Sequence, residues 1–125
     1  MTNSDKALAL IEDGYVVGLG SGRASTAFIR ALGERVRQGL RVRGVPTSEA
    51  SATLARGLGI PLVSLAEGMP LDVTVDGADE VDPDLNLIKG WGRAFVREKI
   101  VAAASRKFVI LGGPLSVLTS LAAAL

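Results

Sequence analysis

The side chains of this sequence that could do chemistry are concentrated in residues 73–99. Asp76 and Asp79 follow an apolar run typical of a buried strand, and open α/β sheets place ligand-binding loops at the ends of such strands. Lys89 lies between an apolar pair and two glycines, where its ammonium group can hold a phosphate or oppose a developing oxyanion. Glu98, one or two helical turns later, can point back as a base. We therefore predict an active site in which acids, one lysine and flexible backbone surround a small anionic substrate.

The same segment has two alternative interpretations. Its acidic stretch, DEVDPD, is also typical of a solvated turn, and we assign Asp82 and Asp84 to that role. A calcium loop counted from Glu80 would need a glycine at its sixth position and an acid at its twelfth, but these positions are Leu85 and Trp91. We therefore predict no metal site.

A glycine-rich stretch, GLGSGRAS at residues 18–25, connects a predicted strand to a predicted helix. Backbone amides in such a loop can approach a phosphate, although a tight strand-to-helix turn needs the same glycines. A dinucleotide site would need an acid after the next strand, where only Pro46 and Thr47 stand, and the lysine of a P-loop is missing. A smaller phosphate ester fits this loop better than NAD.

Alternating strands and helices must position these residues. Apolar, often β-branched runs predict strands at residues 15–19, 41–46, 61–65, 71–76 and 107–111. Helices are predicted from Ser4 to Gly14, from the glycine-rich loop to Gly39, from Thr47 or Ser48 to Gly57, and over residues 95–106. This alternation predicts an α/β fold, with a Rossmann-like open, mostly parallel sheet of about five strands and helical crossovers.

Composition limits the remaining functions. The 125 residues suit one domain, and 48% apolar with only 22% charged residues excludes a disordered tail. A net charge of +1 gives no general attraction to nucleic acid or membranes, so the expected partner is a small molecule. Cysteine and histidine are absent, so carboxylates and lysine must carry any acid or base chemistry. The N-terminus lacks the pattern of an export signal, which favours the cytoplasm.

Residues 108–125 carry no charge and have the length of a membrane span, but Gly112, Gly113 and Pro114 interrupt them. We instead predict a strand followed by a terminal helix over residues 115–125. The apolar surface of that helix would favour association.

Six motifs together resemble the ribose-5-phosphate isomerase type A family: VVGLGSGRAS, GVPTSEAS, LGIPL, VDGADEVD, IKGWGRA and REKIVAAASRKFV. They cover most of residues 14–110. The resemblance implies an aldose-ketose isomerase of the non-oxidative pentose phosphate pathway, which interconverts D-ribose 5-phosphate and D-ribulose 5-phosphate without a metal or organic cofactor. Glu98 would then shuttle a proton through an enediolate. Asp76 and Asp79 would contact sugar hydroxyls and assist ring opening, and Lys89 would bind substrate and steady negative charge.

The resemblance also implies three substrate-binding loops. Their residues are Ser21, Gly22, Arg23 and Ala24; Asp76, Gly77, Ala78 and Asp79; and Lys89, Gly90, Trp91 and Gly92. Arg23 and Ala24 replace hydroxyl side chains of the family's Thr-Gly-Ser-Thr loop, and Ser25 with Thr26 are candidates to compensate. Trp91 introduces a bulky ring into the family's run of three glycines.

By the same resemblance, the chain corresponds to the N-terminal portion of the family. Residues 1–111 would form the Rossmann-like isomerase domain, and residues 112–125 an apolar tail that departs from the family pattern. Gly113 and Ser116 stand where the family has an acid and a lysine. The family pattern also implies a homo-oligomer, a dimer. Two alternatives to the isomerase remain, a non-catalytic sugar-phosphate sensor and an inactive truncated fragment.

Overall fold

The computed structural model describes residues 3–77, residue 101, residues 104–111 and, for the backbone alone, residues 116–118. Its helices are α1 (Asn3–Leu8), α2 (Gly22–Arg37), α3 (Glu49–Gly57) and α4 (Leu65–Gly68). Its strands are β1 (Val16–Leu19), β2 (Arg43–Pro46), β3 (Val73–Gly77), β4 (Phe108–Leu111) and β5 (Ser116–Leu118). Helices and strands alternate from α1 to α3, as the α/β prediction requires, and a second short helix, α4, precedes β3.

The five strands form one sheet in the order β2-β1-β3-β4-β5. β1 pairs in parallel with β2 and with β3, β3 pairs in parallel with β4, and β5 runs antiparallel to β4. The predicted class, an open and mostly parallel α/β sheet, is confirmed. The chain passes from β1 to β2 on one side and later to β3 on the other, so the strand order reverses at β1. In open α/β sheets, ligands bind beyond the carboxyl ends of the strands at such a switch point.

The core is built around β1 and β3, whose residues are all buried. Phe28, Ile29 and Leu32 of α2 are at most 1% exposed and belong to the same apolar cluster as Val17 of β1 and Val75 of β3. A second, smaller cluster contains Val16, Val45, Leu71 and Val101. Parallel strands covered on both faces carry nearly continuous apolar runs, which is why these two strands were predictable from sequence.

The strand predicted at residues 61–65 is wrong. The structure has a single parallel bridge there, between Leu62 and Gly44 of β2, and α4 follows at once. The Ser64 hydroxyl oxygen accepts a hydrogen bond from the Glu67 amide, and the Glu67 carboxylate accepts one from the Ser64 amide. This capping box starts a helical turn where the apolar run alone indicated a strand.

The first helix is shorter than predicted. α1 ends at Leu8 instead of continuing toward Gly14. Gly14 does adopt the left-handed conformation expected of it (φ 89°), but it does so in the turn that leads into β1. The expected helix cap is therefore a strand-entry turn.

The terminal helix predicted over residues 115–125 is wrong at Ser116–Leu118, which forms β5. In the antiparallel register of β5 with β4, Leu118 stands opposite Phe108 and Ser116 opposite Ile110. An uncharged apolar run fits a helix or a strand equally well by periodicity, and the backbone groups offered by the edge of β4 decide in favour of the strand.

The helix predicted over residues 95–106 lies mostly outside the described residues. Val101 is helical, but residues 104–106 are not, and Ser105 forms a parallel bridge with Leu71, so the predicted C-terminal end of this helix is wrong. Within the described ranges, no helix is both long and apolar enough to cross a membrane.

Candidate active site

Three polar loops meet at the carboxyl edge of the sheet. Gly20 and Ser21 follow β1, Thr47 and Ser48 follow β2, and Asp76 lies near the end of β3. Because β1 lies between β2 and β3, these loops stand side by side at the switch point of the sheet. The glycine-rich loop and the first acid of the predicted site therefore belong to one location.

Asp76 is buried, with 1% of its surface exposed. Its Oδ1 atom accepts hydrogen bonds from the Ser21 amide (3.3 Å), the Ser25 hydroxyl (3.1 Å) and the Gly77 amide (2.9 Å). Hydrogen bonds to a carboxylate are stronger than those between neutral groups, and several of them fix its orientation. Asp76 is thus an acid held in one position at the mouth of the sheet.

Gly20 lets the loop after β1 lie against this carboxylate. A Cβ atom built at Gly20 would stand 2.3 Å from Asp76 Oδ1 and 2.7 Å from the carbonyl oxygen of Val75. The Gly20 amide donates a hydrogen bond to that same carbonyl at 3.0 Å. Glycine is required here because any side chain would push the loop away from Asp76.

The first turn of α2 presents Gly22 and Arg23 to solvent. Ser21 occupies the N-cap position of this helix, but its side chain makes no capping hydrogen bond. Gly22 has a φ of 89°, a conformation that favours glycine. The N-terminus of a helix attracts anions through its amides and its dipole, and Arg23 adds a positive charge to this turn.

Ala24, Ser25 and Thr26 make their contacts within the protein. A Cβ atom at Gly77 would stand 3.2 Å from Ala24 Cβ, so α2 packs closely on the end of β3. Ser25 donates its hydroxyl proton to Asp76, and Thr26 donates its own to the carbonyl of Gly22 at 2.8 Å. Both hydroxyl protons are thus engaged within the protein in this structure, and the role of Ser25 and Thr26 in place of the hydroxyls lost at positions 23 and 24 stays a prediction.

A cluster of four hydroxyl residues joins the loops after β1 and β2: Ser21, Thr47, Ser48 and Ser51. Ser21 Oγ lies 2.9 Å from Ser48 Oγ and 3.2 Å from Thr47 Oγ1. Ser51 Oγ lies 3.0 Å from Ser48 Oγ and donates to the carbonyl of Gly20 at 2.6 Å. The cluster therefore ties the start of α3 to the loop that contacts Asp76.

Sequence reasoning treated Thr47 and Ser48 only as possible helix caps and did not single out Ser51. The cap itself is confirmed, because Ser48 Oγ accepts a hydrogen bond from the Ser51 amide at 3.1 Å. One signal in the sequence could have indicated the cluster: Thr47 and Ser48 directly follow a predicted strand. Because the carboxyl ends of parallel strands lie on the same side of a sheet, these residues could be expected near the loop that follows β1.

The remaining predicted site residues lie outside the described residues: Ala78, Asp79, Lys89, Gly90, Trp91, Gly92 and Glu98. Their roles stay predictions. Among the described ones, Ser21 and Asp76 are in direct contact, Ala24 lies close to Gly77, and Arg23 stands on the exposed first turn of α2.

Comparison with known proteins links this geometry to one family. The chain is 58% identical to ribose-5-phosphate isomerase A of Nitrobacter hamburgensis over 106 residues, which are 85% of this chain and 46% of that relative. The solved ribose 5-phosphate isomerase A of Methanocaldococcus jannaschii is similar with a TM-score of 0.75 and 42% identity, over 87% of this chain and 49% of that one. A D-ribose-5-phosphate isomerase solved in complex with phospho-erythronic acid also gives a TM-score of 0.75, with 45% identity over 86% of this chain and 48% of that one.

The chain spans about half the length of the relatives it matches. The family model described as ribose 5-phosphate isomerase A (phosphoriboisomerase A) matches residues 43–122, which is more than half of the chain. The chain therefore belongs to the ribose 5-phosphate isomerase A family.

Proposed function

We propose that the protein is an aldose-ketose isomerase that interconverts D-ribose 5-phosphate and D-ribulose 5-phosphate. The observation that carries this proposal is the buried carboxylate of Asp76, held by the glycine-rich loop at the switch point of the sheet in a chain of this family. The names of the relatives support the substrate, and so does the phospho-erythronic acid bound to a solved relative. That ligand combines a phosphate with a carboxylate, whose planar, charged shape resembles an enediolate.

The reaction moves two hydrogens within one molecule. A base removes the proton from C2 of the open-chain aldose, and the electron pair of that bond forms a C1–C2 double bond while the carbonyl oxygen on C1 becomes the enediolate oxygen. The proton then returns to C1, and the proton of the C2 hydroxyl passes to the oxygen on C1, so that C2 becomes the ketone and C1 carries a hydroxyl group. Nothing is oxidised or reduced overall, so the balance needs no external electron acceptor.

We assign the role of the base to Glu98, and to Lys89 the stabilisation of the negative charge on the enediolate. Asp76 and Asp79 contact the sugar hydroxyls and assist ring opening. The geometry of Asp76 supports its share of this proposal, because an acid already fixed by the Ser21 and Gly77 amides needs no reorganisation when substrate arrives.

The first turn of α2 is the proposed contact for the anionic part of the substrate. Its amides and dipole favour negative charge, and Arg23 brings a guanidinium group to an exposed position beside them. Ser21, Gly22, Arg23 and Ala24 would together form this side of the site.

A direct test supplies D-ribose 5-phosphate to the purified chain and follows ketose formation, together with Glu98→Gln. Exchange of the C2 hydrogen in D2O gives a second readout of proton transfer. Glu34→Gln is the matched control, because Glu34 pairs with Arg37 on the exposed surface of α2. We expect wild type and Glu34→Gln to be active, and Glu98→Gln to lose at least roughly a hundredfold in kcat.

Cooperative melting establishes that each variant is folded. The proposal fails if the folded wild-type chain and Glu98→Gln are equally inert. Binding of phospho-erythronic acid without any turnover would favour the sugar-phosphate sensor instead.

A further inference from the structure

Each hydrogen bond in the hydroxyl cluster can be assigned a donor and an acceptor, because each hydroxyl carries only one proton. Ser51 gives its proton to the carbonyl of Gly20, so Ser51 Oγ is an acceptor toward Ser48. Ser48 therefore donates to Ser51, and Ser48 Oγ in turn accepts from the Ser21 hydroxyl at 2.9 Å. The hydrogen bonds run from Ser21 through Ser48 and Ser51 to Gly20, the residue that precedes Ser21.

Thr47 offers a second acceptor to the same serine. Its hydroxyl proton goes to the carbonyl of Leu19 at 2.8 Å, which leaves Thr47 Oγ1 able only to accept from Ser21 at 3.2 Å. The hydroxyl proton of Ser21 thus faces two acceptors, Ser48 Oγ and Thr47 Oγ1, both next to the start of α3. Thr47 is 2% exposed and Ser51 is 4% exposed, so little water competes for these bonds.

This arrangement has a consequence for α2. A serine at the N-cap normally accepts a hydrogen bond from the second or third amide of its helix, which here belong to Arg23 and Ala24. Ser21 makes no such bond. By contrast, Ser48 at the same position of α3 does accept from its own helix, through the amide of Ser51. Donation alone does not prevent capping, since Ser48 also donates to Ser51. What differs is that Ser21 Oγ lies within hydrogen-bond distance of Ser48 Oγ and Thr47 Oγ1 instead of its own helix, and that Gly22 after it has a φ of 89°.

We propose that Ser48 and Thr47 are positioning residues that keep the Ser21 hydroxyl from capping α2, so that the first-turn amides stay available to the anionic group of the substrate. This inference rests on the proposed function for its consequence in binding. Its structural part, the diversion of Ser21, stands on the contacts alone.

Hydrogen exchange at the amides of Arg23 and Ala24, measured by NMR without any ligand, tests the structural part. When Thr47→Val and Ser48→Ala are combined, Ser21 is released and caps α2, and we expect exchange at these amides to slow by about three- to tenfold. Adding Ser21→Ala to that pair should return exchange to the wild-type rate. Ser21→Ala alone should leave it unchanged.

The Thr47→Val, Ser48→Ala pair and the triple variant with Ser21→Ala both lose the cap of α3. If Ser48 only stabilised α3, exchange at the Arg23 and Ala24 amides would be equal in the two variants. Ser48→Thr, which keeps the hydroxyl, is expected to behave as wild type. Unchanged exchange in the Thr47→Val, Ser48→Ala pair overturns the inference.

Titration with phospho-erythronic acid tests the consequence for binding. The Thr47→Val, Ser48→Ala pair is expected to weaken its affinity by about three- to tenfold in the presence of Ser21, and to have no effect in the Ser21→Ala background. Equal loss in both backgrounds would overturn the role in ligand binding. Should the wild-type chain bind no phospho-erythronic acid, the proposed function fails, while the exchange experiment still decides whether Ser48 and Thr47 position Ser21.

Discussion

The carboxylate of Asp76 lies so close to Gly20 that a Cβ atom at position 20 would stand 2.3 Å from its Oδ1 atom and 2.4 Å from its Cγ atom. Gly20 directly follows β1 and Asp76 lies in the neighbouring strand β3, so this approach brings the glycine-rich loop into contact with the first acid of the site. The stability of the fold and the geometry of the site depend on the same contact.

Gly20→Ala is therefore expected to lower the free energy of unfolding by about 2–3 kcal/mol. The new methyl group meets both the Asp76 carboxylate, which is held by hydrogen bonds, and the backbone of Val75, so the loop itself must move. Urea unfolding measures the loss, and the isomerase assay should show a parallel loss of activity as Ser21 is displaced.

Gly57→Ala is the matched control for this substitution. A Cβ atom at Gly57, the last residue of α3, has no neighbour within 4 Å. Alanine should be neutral there or add up to about 1 kcal/mol of stability through its higher helix propensity. Equal stability of the two alanine variants would contradict the close approach at Gly20.

Asp76→Asn tests the carboxylate itself. Asparagine keeps the shape and one acceptor oxygen, but it loses the charge that strengthens the bonds from Ser21, Ser25 and Gly77. We expect a loss of about 1.5–3 kcal/mol in the free energy of unfolding. If the proposed function holds, kcat/KM should also fall by roughly a hundredfold or more. Full activity in a stable Asp76→Asn protein would remove Asp76 from the site.

Asp72→Asn makes the same chemical change at the amino ends of the strands, on the side of the sheet opposite the site. Asp72 Oδ2 accepts a hydrogen bond from the Val16 amide at 2.7 Å, and the Asp72 amide donates to the Val16 carbonyl at 2.9 Å. These two hydrogen bonds join the amino ends of β1 and β3; the substitution keeps the backbone bond and weakens the one to the side chain, which should cost about 1–2 kcal/mol in urea unfolding. Activity at a temperature well below melting should stay at the wild-type level, which separates damage to the fold from damage to the site.

The strands of the sheet were predictable where burial on both faces requires a continuous run of apolar residues. β1 and β3 are covered on both faces, so their apolar runs are continuous and identify them as buried parallel strands. The same signal was misleading at residues 61–65 and at Ser116–Leu118, because an apolar run does not state which partner will accept its backbone hydrogen bonds. At α4, the deciding signal was polar: Ser64 and Glu67 have the spacing of a capping box.

Ser21 and Asp76, two residues of the predicted site, are in contact in the described part of the chain, but their contacts were not predictable. Asp76 was identified because it lies at the end of a predicted buried strand, and Ser21 through the resemblance of its loop to the substrate-binding loop of the family. Their hydrogen bond, and the contacts of Ser21 with Thr47 and Ser48, depend on β1 lying between β2 and β3. That strand order is a property of the folded sheet, and no local pattern around these residues expresses it.

The capping box of α4 should make stability depend on pH in the acid range. The hydrogen bond from the Ser64 amide lowers the pKa of Glu67 from its ordinary value of 4.5, with a smaller favourable contribution from Arg43, while burial opposes the shift. A carboxylate whose pKa is lower in the folded state stabilises the fold above pH 4.5, and this contribution is lost as the pH falls through the lowered pKa. Glu67→Gln should thus have a lower urea midpoint than wild type at pH 7, and the difference should shrink as the pH falls through the lowered pKa.

Ser64→Ala provides the control for that pH dependence, since it removes the hydroxyl that caps the Glu67 amide. The two halves of a capping box support each other, because each holds the turn in the geometry that the other needs. At pH 7 the effect of Glu67→Gln should therefore be smaller in the Ser64→Ala background than in wild type. A Glu67→Gln difference that persists unchanged at pH 3, or that is the same in both backgrounds, would show that Glu67 stabilises the protein by another route.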